Sequence, residues 1–491
     1  MKITTPWPLL ENTGLFIVIL SATKELSCLL PPCRRENIIV GDLPVPLLEG
    51  ARGENMEDWP YRVVAFAGFF IIAGIAWAVG SRARLNGKTL WGSLVLIWLM
   101  GGLTFWLPWS RAGMQWLNDV LVALLSASQK GNVFLFGPLA LGPGQALPDG
   151  TASVGFVLAM QVLPAVIFFS ALVAGLYHLG IMQWVVRGFA RIFYRVMGLS
   201  GAEALSASAN IFVGVESGLT IQPYLQAMTR SELLTLLTCM MATVASTVLA
   251  IYVIALADVF PQIAGHLVSA SIISIPCAIL ISKLSLPEDQ TPETAGQLPE
   301  DREQPASREA HHLNPATPPS NLMMALIEGG GQGVKMAVSI ATLLIVVLGL
   351  EAVADLLLAQ FPQVLGAPLS ITRLMGWLTW PFVILLGLRP EEWQLASEIL
   401  GSRFVETEVA AYFTLAHAQA MTPPAFSLRS LTALTYALCG FVHLASMGIF
   451  VGGLAALIPT RVRDLSSLGL RALWTSFLAT LLTGCVASVL A

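Results

Sequence analysis

Long apolar runs recur along this chain, and a run of about 17–25 such residues is what a helix needs to cross a bilayer. They fall near residues 63–80, 89–108, 155–179, 233–257, 262–282, 336–358, 431–457 and 466–490. Within hydrocarbon the backbone has no water to bond, so a segment of this length must satisfy its own N–H and C=O groups as a helix. Charge is correspondingly scarce: 11% of the residues are charged and 55% are hydrophobic, where soluble chains carry about 25% charge. The sequence therefore predicts an all-α polytopic membrane protein with eight transmembrane helices. A net charge of −4 without a basic stripe gives no sign of a nucleic-acid partner, and membrane lipid is the expected surrounding.

Basic residues orient the spans. Arg82, Arg84 and Lys88, then Arg187, Arg191 and Arg195, then Arg461 and Arg463 fall on one side if eight crossings are counted, which places them in the cytoplasm and both chain ends outside. Arg34, Arg35 and Arg52 in the amino-terminal tail argue the other way. Cys239, Cys277, Cys439 and Cys485 lie in spans and read as small hydrophobes. Cys28 and Cys33 lie in the tail, where export would permit a disulfide that spacing alone does not establish.

Residues 286–320 are acidic, proline-rich and nearly free of large apolar groups, the composition of a disordered linker. The two halves it separates share a pattern. A polar, broken segment with a glutamate (Glu216, Glu408) precedes an Arg-Ser pair (Arg230 with Ser231, Arg429 with Ser430), then a span with small polar residues in its middle. This reads as an internal repeat of the inverted type, each arginine anchoring the start of its span at the interface. The expected organisation is a tail over 1–60, three scaffold spans over 61–180, a first hairpin and its spans over 181–285, and the linker over 286–320. A sixth span region follows over 321–370, then a second hairpin and the last two spans over 371–491. Segments 181–196 and 371–388 are expected along the membrane surface.

An ionisable side chain at membrane depth costs about 2.5–3.5 kcal/mol, so Glu216 and Glu408 point to a pathway or a bound ligand. Both sit in short polar segments that fit re-entrant hairpins. If the hairpin tips meet near the midplane, the carboxylates approach a cavity with Phe441, His443 and Ser446 on one broken span and Thr243, Ser246 and Thr247 on the other. Such a cavity offers acceptors, donors and a ring face to a small polar solute. Serine and threonine in spans more often bond back to a carbonyl one turn earlier, and a histidine such as His443 also packs or caps. Catalysis is the competing class, but neither a GxSxG elbow nor an HExxH helix occurs, and no His/Cys/carboxylate spacing supports zinc. A membrane receptor or scaffold would not need two buried acids.

Several stretches then resemble one family. QVLPAVIFFSAL (Gln161 to Leu172), LGIMQW (Leu179 to Trp184), GAEALSASANIFVG (Gly201 to Gly214), PYLQAMTRSEL (Pro223 to Leu233), ETEVAAY (Glu406 to Tyr412) and YALCGF (Tyr436 to Phe441) are similar, in order, to the concentrative nucleoside transporters. GNVFLFG (Gly131 to Gly137) is similar to the segment before their third bacterial span. The resemblance implies a homotrimer in the plasma (inner) membrane, each protomer with eight spans, two re-entrant hairpins and a moving transport domain. It implies ion-coupled import of a nucleoside, with sodium or a proton as coupling ion and no enzyme activity. By motif, Glu216 and Glu408 match the acids of the two hairpins, and Phe441, His443 and Ser446 match positions around the ribose. Asn210 and the Val213 carbonyl match sodium ligands, with Thr243 and the Val244 carbonyl completing the set; oxygen-only ligation suits a hard cation. The chain departs from the family at Val215, where base-contacting amides are usual, at Thr407 and at His443, where asparagines are usual, and at Ala242, where a serine is usual. A different ring-bearing metabolite is the alternative cargo.

Overall fold

The computed structural model describes residues 58–81, 85–142, 145–147, 150–212, 214, 217–218, 221–296, 321–363 and 368–491. Glu216, Val213 and Val215, the tail cysteines, Arg82, Arg84 and linker residues 297–320 lie outside them. The unit Trp59–Ala491 carries every helix named below. No strand occurs among the described residues; a single isolated bridge joins Ala146 to Ala152.

The helices are α1 (Trp59–Val79), α2 (Gly87–Trp106), α3 (Pro108–Phe136), α4 (Leu163–His178), α5 (Ile181–Met197), α6 (Gly201–Ala209), α7 (Arg230–Ala242), α8 (Ser246–Leu256), α9 (Ile263–Ser285) and α10 (Leu322–Leu358). After these come α11 (Ile371–Leu385), α12 (Trp393–Val405), α13 (Glu408–Gln419), α14 (Leu428–Leu438), α15 (Leu444–Leu457) and α16 (Val462–Leu490). Single helical turns stand at Leu158–Gln161 and Gln222–Leu225. Among the described residues, seven helical stretches are long and apolar enough to cross a membrane: 59–79, 87–106, 115–140, 158–178, 263–285, 322–358 and 459–490.

Six of these coincide with expected runs. The stretch 115–140 has no counterpart among them, because Asn118, Asp119, Lys130 and Asn132 depress its hydropathy. The expected runs 233–257 and 431–457 are each two shorter helices, α7 with α8 and α14 with α15. The first break is extended backbone at Thr243 (φ −121°, ψ 165°), and the second ends in extended backbone at His443 (φ −142°, ψ 162°). The α10 helix also begins at Leu322, well before the apolar run at 336, since three consecutive glycines, Gly329 to Gly331, lower hydropathy without breaking it.

Burial separates the long helices. In α9 and the segment around α16, 89% of the most apolar window is buried, against 6% in α10, so the first two form the core and the last faces outward. Hydroxyl pairs join the core helices: Thr238 to Thr475 at 2.8 Å, Thr235 to Ser282 at 3.0 Å and Ser274 to Thr483 at 3.2 Å. Such bonds tie helices together where burial of apolar surface offers little preference for protein over lipid.

The one face that α10 does bury packs on α4 through glycine. A Cβ at Gly329 would lie 2.4 Å from the Ala174 Cβ, and one at Gly333 would lie 2.7 Å from the Ile167 Cα. Those two glycines, four apart, bring the backbones close enough for extensive dispersion contact. We expect Gly333→Leu to destabilise the protein by about 1–3 kcal/mol, read as a fall of several degrees in the melting temperature in detergent. An unchanged melting curve would show that α4 and α10 separate at no cost.

The amphipathic α5 buries Met182, Val186, Ala190, Phe193 and Met197 while Arg187, Arg191 and Arg195 occupy its other side, the pattern expected of an interfacial helix. The first part of the expected linker, Leu286–Gly296, is among the described residues and is mostly exposed beyond Glu288, with Thr294 buried. The Thr294 carbonyl and hydroxyl accept from the amides of Gly201 (3.1 Å) and Ala202 (3.0 Å), supplying acceptors to orphan donors at the start of α6. Arg429, expected as an interfacial anchor, is buried inside the protein. It is 5% exposed and donates to the Ser488 hydroxyl (2.7 Å) and the Gly387 carbonyl (2.8 Å). Arg230, its counterpart in the first half, is exposed, so the sequence pairing does not extend to environment.

Candidate solute site

Glu408 is the first residue of α13, where the exposed amides and dipole of a helix start favour a carboxylate. Thr407 precedes it as N-cap, its hydroxyl accepting from the Ala410 amide at 3.3 Å. Glu408 is 3% exposed, yet its two oxygens are treated differently. The Tyr252 hydroxyl donates to Oε1 at 2.9 Å, from α8. His443 Nε2 lies 3.0 Å from Oε2 in a close polar contact. A carboxylate oxygen accepts more than one hydrogen bond, so both keep acceptor capacity.

His443 owes its position to the break before α15, which it caps. Its Nδ1 accepts from the Ser446 amide at 3.1 Å, while the Ser446 hydroxyl accepts from the His443 amide at 3.3 Å and donates to the His443 carbonyl at 2.7 Å. The same hydroxyl bonds the Phe441 carbonyl. A ring nitrogen that accepts a backbone N–H carries no proton, so the network assigns the imidazole proton to Nε2, facing the carboxylate. His443 thus presents an N–H to the Glu408 carboxyl group. The Phe441 ring is half-buried, 5.9 Å from the Phe450 ring.

At the other break, Asn210 ends α6 and Thr243 ends α7, two helices that pack together. The Asn210 Oδ1 accepts from the Ser217 hydroxyl at 2.7 Å, and its buried Nδ2 has no hydrogen-bond partner among the described residues. The Thr243 hydroxyl bonds back to the Cys239 carbonyl at 2.9 Å, and Val244 is buried. Ser246 and Thr247 open α8. Among the described residues no group of three His, Cys, Asp or Glu side chains is placed to hold a metal.

Sequence reasoning missed two residues. Tyr252 lies in the middle of an apolar run in a chain with only 7 tyrosines, where its hydroxyl required a partner. Arg403 is the only arginine or lysine between Arg389 and Arg429, and it is wholly buried. Its guanidinium donates to the Thr480 hydroxyl at 2.8 Å and to the Ala437 carbonyl, and lies 5.6 Å from the Phe477 ring centre. The cation thus sits at the carboxyl end of α14, where the dipole favours it, and fixes the helix end from which Phe441 and His443 lead.

A helical membrane protein with a buried carboxylate where its helices break is built as secondary transporters are. Three family profiles match it: "Na+ dependent nucleoside transporter N-terminus" over residues 67–139, "Nucleoside recognition" over 159–259 and "Na+ dependent nucleoside transporter C-terminus" over 266–488. The rat sodium/nucleoside cotransporter 1 is 33% identical over 446 residues, 88% of this chain and 64% of the relative. An uncharacterized transporter of Haemophilus influenzae is 29% identical over 86% of this chain and 96% of its own. The solved structure of CNTnw in an inward-facing substrate-bound state superposes with a TM-score of 0.77 at 27% identity, covering 88% of this chain and 98% of that one. A variant of CNTnw in an outward-facing state gives the same TM-score. The chain therefore belongs to the concentrative nucleoside transporter family, a family of transporters and not of enzymes, and spans about two thirds of the rat relative's length.

Proposed function

We propose that this protein imports nucleosides, or solutes of nucleoside type, by sodium-coupled alternating access across the plasma membrane. The observation that carries the reading is Glu408: a buried acid at a helix start, held by Tyr252 and faced by His443, with acceptor capacity left. The carboxylate receives a sugar hydroxyl, with Ser446 and Phe441 near it and Thr407 fixing the start of α13. Glu216 and Val215 are assigned to the base in this reading. Asn210, Thr243 and the carbonyls of Val213 and Val244 hold sodium. The helix pair α12 and α13, and α6 with the segment after it, act as re-entrant hairpins of two inverted halves. The two broken pairs count with the long helices α1, α2, α4, α9, α10 and α16 as eight crossings, and α3 lies outside that count. The protomers assemble as a homotrimer.

Sodium is favoured over the proton by the His443 cap. A proton arriving at Nδ1 would point at the Ser446 amide and break the bond that starts α15. In proteoliposomes we expect an inward sodium gradient to drive uptake of labelled uridine or adenosine, and a pH gradient without sodium to drive none. Uptake on the pH gradient alone would reject sodium coupling, and no uptake of any nucleoside under either gradient would reject the function.

A further inference from the structure

The helix α15 buries one stripe, Ser446, Phe450 and Leu454, spaced every fourth residue and therefore on one face. Its first turn belongs to the solute site, since the Ser446 hydroxyl closes the His443 cap opposite Glu408. One turn on, the Phe450 ring meets the Phe441 ring. At the far end Leu454 meets the segment after α6: a Cβ on Gly218 would lie 2.9 Å from the Leu454 Cδ2 and 3.4 Å from the Leu457 Cδ1. The residue before that glycine, Ser217, donates its hydroxyl to the Asn210 Oδ1 at 2.7 Å. A helix of 14 residues is about 21 Å long, so α15 reaches from the carboxylate to the residues beside Asn210.

Arg461, in the turn after α15, fastens that far end. Its Nη1 donates to the carbonyls of Gln226 and Met228, each at 2.9 Å, and its Nε donates to the Asp464 carboxylate at 2.6 Å. The two carbonyls lie between the helical turn Gln222–Leu225 and the start of α7, where no helix supplies a donor. Arg463, which has the same weight in the positive-inside count, is exposed. Along its length α15 is supported by α16, where a Cβ on Gly469 would lie 3.3 Å from the Val451 Cγ2. Close-packed elements of this kind shift as units and do not deform continuously.

We propose that Arg461 is a positioning residue that couples sodium binding to nucleoside binding. By fastening the end of α15 to the segment between α6 and α7, it makes the ordering of that segment around Asn210 and the placing of Phe441 and His443 a single event. This rests on the sodium-coupled nucleoside reading above. Arg461 touches neither ligand in that reading; it keeps Gly218 seated on Leu454, so that a shift begun at Asn210 and Ser217 arrives at the other end of α15. Each ligand then favours the conformation that the other binds better, and the coupling is reciprocal.

The test measures the dissociation constant of uridine, or of adenosine if uridine does not bind, on purified protein in detergent. Wild type, Arg461→Gln and Arg461→Lys are each compared without sodium and at saturating sodium, with choline keeping the ionic strength constant. In wild type sodium should tighten the nucleoside by about 10-fold, within the usual range of coupling between sites. In Arg461→Gln that ratio should fall to about 2-fold or less, with a melting temperature close to wild type because the side chain is only partly buried. Arg461→Lys keeps the charge without the planar fork, so an intermediate ratio is expected, and it carries the same comparison if the glutamine variant does not fold. A merely structural role would weaken the nucleoside by one factor with and without sodium. That result, or a wild-type ratio in Arg461→Gln, overturns the inference while the sodium-coupled nucleoside reading stands. If neither nucleoside binds to wild type, or if wild-type uptake needs no sodium, that reading falls and the inference with it.

Discussion

Glu408→Gln is expected to reduce nucleoside uptake by about 100-fold or more in a protein that remains folded. The carboxylate faces two donors, the Tyr252 hydroxyl and the His443 Nε2–H, and an amide can accept from only one of them. Its own NH2 must then oppose the other donor, which leaves a buried polar group unpaired at a cost of about 1–3 kcal/mol. The hydrogen bond from the solute to a charged acceptor, about 1.5–3 kcal/mol, is lost as well. Together these amount to about two decades or more of affinity. Size-exclusion chromatography in detergent should give the wild-type profile, because the substitution conserves shape at a helix start. Uptake within a few-fold of wild type would remove Glu408 from the site.

Arg403→Met should destabilise the protein and impair uptake together. Methionine conserves much of the packing volume against Phe477 but leaves the Ala437 carbonyl and the Thr480 hydroxyl without their donor. Each orphaned acceptor costs about 1–3 kcal/mol, and the end of α14 loses the cation that complements its dipole. Arg403→Lys keeps the charge but offers no planar fork to reach both acceptors, so an intermediate effect is expected. The measurement pairs a melting temperature in detergent with uptake in proteoliposomes. An Arg403→Met protein that melts and transports as wild type would show that α14 needs no anchor, and would separate this cation from the site.

Much of the architecture was legible because hydropathy reports it directly. Six of the seven long apolar helices were visible as runs, and the middles of the broken pairs were visible as Thr243 to Thr247 and Phe441 to Ser446, where small polar residues and a histidine interrupt apolar sequence. The stretch 115–140 escaped because its polar residues, including the buried Asn118 and Asn132, dilute a hydropathy window that does not know which face they occupy. The start of the linker escaped for the opposite reason. Its composition is that of a solvated chain, yet Thr294 is retained against α6 by two backbone donors that no composition records. The two arginines of the repeat show the limit of pattern: Arg230 and Arg429 occupy corresponding places in sequence, and only the second is buried.

By itself the sequence determined that this chain is helical and membrane-embedded, since runs of such length leave the backbone no other way to satisfy its hydrogen bonds in hydrocarbon. It also singled out Glu408, because a carboxylate in such surroundings is too costly to be incidental. Only the tertiary structure decided what Glu408 meets there. Its partners come from a helix 156 residues away and from a break that caps the next helix, and the crossing of those elements fixes which donor faces each oxygen. Hydrophobic periodicity specifies that a side chain is buried; the register between distant helices specifies against what, and that register is set by close packing across the whole core.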